Sequence, residues 1–224
     1  MPAPPRAYVP LCQARPYILD ADLLAFRGRG WLARLIQRGG RGEHSHVGMA
    51  CWWSNDLFVL EAREWKGVRA VTLASQVERF PGQIDVYRAN TYRRFGGFDR
   101  RGAVTAMRRV AGSEYGYASV MAVALAHLVG LRLFARPNLD DDFDSPRPPF
   151  CSELVAWANR TGGHVDVVPR LADEWTEPGD LVRSSFYAGY VCTLVPDDWQ
   201  QDGEQFERVQ VNHYGANQLV GEDA

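Results

Sequence analysis

The chain of 224 residues lacks an excess of charge: 25 Lys and Arg stand against 27 Asp and Glu, a net charge of −2. Binding to a polyanion needs a basic surface, so nucleic acid is not an expected partner. Long hydrophobic runs are also missing. The most apolar stretch, Ala118 to Phe134, meets its first charge at Arg132, short of the roughly 20 apolar residues that cross a bilayer. It predicts a buried or interface helix and no stable membrane insertion. The opening MPAPPRAYVPLCQARPY holds no continuous apolar core, so no secretory signal is expected. Cysteine is sparse, and Cys12, Cys51, Cys151 and Cys192 lie far apart without zinc spacing. Together these features predict free thiols in a reducing, cytoplasmic setting, with no structural metal.

Other absences narrow the architecture. Asp140, Asp141, Asp142 and Asp144 crowd the stretch Arg136 to Pro149, yet a calcium loop's turn glycine and closing glutamate are missing. The stretch predicts an irregular solvated loop (136–149), placed just before Cys151 where a substrate-side lid would sit. There is no internal repeat and no second-domain linker. One domain over residues 1–224 is therefore expected, with 1–17, which carries five prolines, as a loose N-terminal arm.

What is present centres on Gly42 to Ala62, GEHSHVGMACWWSNDLFVLEA. Val47 to Trp53 is apolar throughout, Ser54, Asn55 and Asp56 form turns, and Leu57 to Ala62 is a second apolar run. This is a hairpin with a histidine, His46, at its entrance and a carboxylate, Glu61, at its exit. Downstream, Cys151 opens a helical pattern in Phe150-Cys151-Ser152-Glu153-Leu154. A thiol, an imidazole and a carboxylate are the parts of an activated cysteine nucleophile. Side chains alternate faces along a strand, so register decides whether His46 and Glu61 can meet. A three-residue loop puts them on opposite faces. A four-residue loop, Trp53 to Asp56, sets Gly48 opposite Glu61 and His46 diagonally across on the same face, about 7 Å away at the backbone. Gly48 would then leave room for the ring.

The rest of the chain reads as alternating short elements. Ile18 to Phe26 predicts a strand and Arg27 to Gly30 a turn. Trp31 to Arg38 predicts an amphipathic helix with Trp31, Leu32, Leu35 and Ile36 on its apolar face. Arg69 to Leu73 and Gln83 to Arg88 are strand candidates separated by Pro81-Gly82. Asp99 caps a helix that runs to Gly112, and Cys151 to Thr161 is another, stopped by Gly162-Gly163. Pro178-Gly179-Asp180 predicts a turn, and Tyr190 to Val195 and Phe206 to Val211 predict late strands.

In their order these motifs resemble the circularly permuted papain-like hydrolases of the NlpC type, often called YiiX-like. The pieces are Asp22-Leu23-Leu24, Ser45-His46-Val47-Gly48, Glu61-Ala62 with Gly67-Val68, Cys151-Ser152-Glu153-Leu154, and Asp180-Leu181. They span about Leu19 to Ser184. Ala21 stands where that pattern usually has glycine, which bears on the opening turn. The resemblance implies an α+β, permuted papain-like fold: an antiparallel, partly barrel-like sheet packed on the nucleophile-bearing helix and further helices. It implies Cys151 as nucleophile, His46 as acid and base, and Glu61 as the group that orients the ring. A helix start favours a thiolate. Tyr115 and Tyr117 fall where the family has G-x-x-Y and are candidate substrate-binding residues.

The residues alone leave rivals open: His44 for His46, and Glu153 for Glu61, although Glu153 in a first helical turn suits a capping contact. Arg63 or Arg69 could instead pair with a purely structural Glu61. The reading is a cysteine peptidase or amidase that cleaves a peptide, isopeptide or cell-wall peptide amide through an acyl-enzyme on Cys151. It needs no metal or organic cofactor, and its partner is a peptide-like or amino-acyl amide substrate. The alternatives are an acyltransferase or thioesterase/esterase using the same thiol, or a non-catalytic binding module that keeps the fold. Nothing in the sequence speaks to oligomeric state.

Overall fold

Short apolar runs bounded by turn residues become the strands of one sheet. A computed structural model of the chain describes residues 6–39, 42–63, 66–112, 150–187 and 189–199. The strands are β1 (Tyr8–Pro10), β2 (Leu23–Gly28), β3 (His46–Trp53), β4 (Asp56–Arg63), β5 (Gly67–Thr72), β6 (Gly82–Arg88) and β7 (Gly189–Val195). Their spatial order is β1-β7-β6-β2-β3-β4-β5. All neighbours pair antiparallel except β1 and β7, which run parallel. The edge strands β1 and β5 do not pair, so this mixed α+β fold has an open sheet, not a closed barrel. The helices are α1 (Leu11–Ala14), α2 (Trp31–Gly39), α3 (Leu73–Arg79), α4 (Arg100–Arg109), α5 (Cys151–Thr161) and α6 (Pro178–Arg183).

Strand alternation divides the apolar residues between two cores. Leu23, Ala25, Val47, Met49, Cys51, Leu60 and Ala62 share one face with residues of α4 and α5. Leu24, Phe26, Ala50, Val59, Ile84, Val86 and Leu194 form the other with Leu11, Ala14 and Leu73. The helix layer is held by close backbone approach. A Cβ on Gly102 of α4 would lie 2.0 Å from the carbonyl oxygen of Gly162, just past α5, so only glycine permits that contact. Asp99 caps α4 as expected, its Oδ1 accepting from the Gly102 N–H at 3.0 Å.

Buried Asp22 joins the helix layer to the sheet. Its carboxylate pairs with Arg100 at 3.0 Å and Arg88 at 3.3 Å, and accepts from the backbone N–H of Leu19 and Ala89. Burial pushes its pKa up, against the pull of both arginines. The preceding turn needs a left-handed residue, and Ala21 supplies it with φ 62°. That is the position where the motif usually carries glycine, which adopts this conformation without strain.

Several expectations are corrected. The proline-rich arm is not loose over 8–17: β1 pairs with β7, and Leu11 and Ala14 are buried. The first large strand begins at Leu23, because Ile18 to Asp22 is taken up by the turn. Arg27 and Gly28 belong to β2, leaving Arg29 and Gly30 to turn the chain. Helix α3 fills the stretch between β5 and β6. Pro178-Gly179-Asp180 opens a helix, with the Asp180 carboxylate accepting from the Glu177 N–H at 3.0 Å. Helix α2 forms where predicted, but Trp31 on its apolar side is 78% exposed. Ala118 to Phe134, Arg136 to Pro149 and Phe206 to Val211 lie outside the described residues. Among the described residues no helix is long and apolar enough to cross a membrane.

The N-terminal segment tests this correction. Leu11→Ala is expected to cost about 2 kcal/mol, the lower end for truncating a core leucine, measured by urea unfolding. An unchanged midpoint would return residues 8–17 to a dispensable arm.

Candidate functional site

The hairpin register carries the site. Met49 pairs with Leu60, Ala50 with Val59 and Trp53 with Asp56, which extends to Gly48 opposite Glu61. This is the predicted register, closed by a tighter even-numbered turn of Ser54 and Asn55. Ser54 takes the left-handed conformation there, φ 53°. His46 and Glu61 therefore share a face, and the His46 Nε2–H donates to Glu61 Oε2 at 2.7 Å. A Cβ on Gly48 would come within 2.6 Å of Val59 Cγ1, 3.0 Å of the Leu60 oxygen and 3.3 Å of Glu61 Cβ. The glycine thus makes room for β4 itself, more than for the imidazole.

Glu61 is fully buried, and both its oxygens are held. Arg69, its direct partner on β5, donates to Oε1 from Nε at 2.9 Å and from a terminal nitrogen at 2.5 Å. Arg63 lies 3.7 Å from Oε2. Burial alone would raise the Glu61 pKa; His46 and the arginines outweigh it and hold the carboxyl at about 2. So Glu61 binds arginine and histidine at once, and the two readings of that carboxylate are not exclusive.

Cys151 is the first residue of α5, and its sulfur lies near enough to the His46 ring to raise the ring's pKa. Nε2 is occupied by Glu61, which leaves Nδ1 as the other ring nitrogen. Burial disfavours charge on His46, but the sulfur and Glu61 overcome it and raise the pKa to about 9. Phe26, opposite His46 in the β2–β3 register, packs against the ring with centroids 5.1 Å apart. The contact forms at the end of the sheet where β3 begins and β4 ends. At the helix start, Glu153 accepts from the Phe150 N–H at 3.3 Å. It caps the helix that presents Cys151. The first-turn N–H groups of Cys151 and Ser152 have no acceptor within the helix itself.

His44 is occupied elsewhere. Its ring donates to buried Asp85 at 2.8 Å, and Asp85 also accepts from Arg27 at 2.9 Å and from Thr193. The other cysteines are poor nucleophiles or lie apart: burial pushes the Cys51 thiol up and the Cys192 thiol up to about 12, and exposed Cys12 sits on α1. Tyr115 and Tyr117 lie outside the described residues. Among the described residues no group of three or more His, Cys, Asp or Glu side chains could hold a metal ion. Sequence reasoning gave Arg69 only a structural part. Its signal was an opposite charge facing Glu61, legible once β4 and β5 are seen to pair.

The chain matches no protein-family model and no curated protein. Among solved structures it is similar to the crystal structure of the metalloprotein yiiX from Escherichia coli O157:H7. The identity is 18%, covering 67% of this chain and 69% of that one, with a TM-score of 0.48. A likeness this distant carries no argument about chemistry.

The coupled charges give a pH signature. His46, raised from 6.5 to about 9, contributes stability in full below pH 6.5 and loses it as pH rises through 9. Glu61, lowered from 4.5 to about 2, contributes above pH 4.5 and loses it as pH falls towards 2. Between 6.5 and 9 the wild-type melting temperature is expected to fall more steeply than that of His46→Gln. By NMR titration, Cys151→Ala is expected to lower the His46 pKa, because the sulfur's contribution is lost. An unchanged His46 titration would mean that thiol and imidazole are not coupled.

Proposed function

We propose that the chain is a cysteine hydrolase of permuted papain-like architecture, cleaving an amide bond in a peptide-like or amino-acyl substrate. The observation that supports this reading is the convergence on His46 of a cysteine at a helix start and a buried carboxylate, Glu61, whose second oxygen Arg69 holds. A structural histidine needs a partner on one side; this one lies between a helix-start cysteine and a buried carboxylate.

The steps follow from these contacts. The Cys151 thiolate attacks the amide carbonyl carbon while His46 is protonated. The oxygen that becomes negative is stabilised by the N–H groups of the first turn of α5. As the C–N bond breaks, His46 gives its Nδ1 proton to the departing amine and a thioester remains on Cys151. Water then attacks the thioester with His46 taking its proton, and the thiolate leaves. Throughout, Glu61 accepts from Nε2–H, fixing the ring's orientation and favouring its charged form, and Arg69 keeps that carboxylate ionised.

Mass spectrometry of the protein mixed with peptides, cell-wall fragments and acyl esters tests the reading. A covalent acyl adduct on Cys151 is expected from an amide substrate. An adduct from esters alone would move the assignment to acyl transfer or ester cleavage, and no adduct from any of them would favour a binding module. Iodoacetamide is expected to label Cys151 ahead of Cys12, Cys51 and Cys192.

Single-turnover acylation of variants apportions the roles. Cys151→Ala should abolish acylation, and His46→Ala should lose roughly 10²–10⁴-fold. Glu61→Gln should lose less, since it keeps the shape and an acceptor. His44→Ala should still acylate yet unfold more easily, by about 1–3 kcal/mol, because Asp85 loses a buried partner. If His44→Ala stops acylation with its melt unchanged, the histidine assignment is wrong.

A further inference from the structure

Helix α2 is amphipathic in the wrong sense for a core helix. Its contacts with the sheet come from its small and polar side. Ala33 packs against Gly28, where an added Cβ would lie 3.0 Å from the Ala33 Cβ. Gln37, one turn on, donates to the carbonyl oxygens of Gly28 at 3.1 Å and Glu43 at 2.7 Å. At 3.6 residues per turn, Trp31 and Leu35 fall on the opposite side, Trp31 exposed and Leu35 half-buried. Ile36 lies on one flank and Arg34 and Arg38 on the other. Trp31 is 78% exposed, Leu35 and Ile36 are partly exposed, and Arg29, Arg34 and Arg38 are exposed. No Asp or Glu occurs between Asp22 and Glu43, and Glu43 is paired with Arg6.

We propose that α2 is a peripheral docking surface for an anionic lipid bilayer, with Trp31 entering the headgroup boundary and Arg29, Arg34 and Arg38 facing lipid phosphates. An outward tryptophan flanked by arginines has the composition of an interfacial helix. Indole suits the boundary between apolar and wet layers. A purely ionic polyanion would leave the exposed apolar side chains without a partner, and a neutral apolar partner would leave the arginines without one. The bilayer satisfies both. Docking is reversible: a nine-residue helix lying on the surface does not span it. Its C-terminal turn is hydrogen-bonded to the segment that enters β3, the strand that begins with His46.

Flotation of the full chain with vesicles tests this. Binding is expected to vesicles of phosphatidylcholine with phosphatidylglycerol, to be absent with phosphatidylcholine alone, and to weaken as salt rises. Trp31→Ser should abolish it with the melting temperature kept. Arg34→Ser and Arg38→Ser should each lower the partition coefficient about five-fold. Cys151→Ala should float like the wild type, so docking and the proposed chemistry fail separately. Absence of flotation, or flotation that none of these substitutions changes, overturns the proposal. A wild-type dimer that Trp31→Ser turns into monomer, without flotation, would make the face a protein interface and overturn it equally.

Discussion

The parity of the β3–β4–β5 ladder is the constraint on which the rest of the site depends. His46, Glu61 and Arg69 come from three successive strands and share one face because the turn between β3 and β4 is even. A slip of one residue would turn His46 away from Glu61 and bring the apolar set to its place. The ladder is protected against that slip by its own packing. Apolar residues of opposite parity, Val47 and Met49 on one face and Ala50 on the other, are buried in separate cores. Shifting the site therefore requires unpacking both.

Electrostatics adds a second layer of definition. A carboxylate buried as deeply as Glu61 would resist ionisation on its own. Its fork to Arg69 and its bond to His46 reverse that preference, and the same carboxylate then supports charge on the ring. Removing either partner leaves an uncompensated buried charge, which is far more costly than never having formed the pair. Asp85, with His44, Arg27 and Thr193, repeats this arrangement without a thiol. The contact with sulfur, not the histidine–carboxylate pair, separates the candidate site from a structural network.

Much of this was legible in the sequence where one local rule acts alone. The Asp99 cap and the span of α5 follow from period and capping, and the structure agrees with both; the hairpin register stands open between an odd and an even loop in the sequence, and the structure takes the even parity that a His46–Glu61 contact requires. Ala21, which stands where the resembling pattern has glycine, proves to hold the left-handed conformation of the opening turn. Failures occur where partners distant in sequence decide. Nothing local shows that β7 will recruit Tyr8–Pro10, or that α2 will face Ala33 and Gln37 towards the sheet against its own apolar pattern. Arg69 was visible as a residue but not as a member of the site, because its role rests on the β4–β5 pairing.

The residues leading into β3 are tied down one after another. His44 is bonded to Asp85, the Ser45 N–H to the Phe26 carbonyl at 2.9 Å, and the Ser45 hydroxyl accepts from the Gly28 N–H at 3.1 Å. His46 follows directly, with Phe26 against its ring. The imidazole has thus surrendered its rotational freedom during folding. If His46 acts as proposed, the segment would store an entropic advantage: the barrier to reaction would not include the work of gathering its groups. Loosening Ser45 would then hand that work back to each reaction.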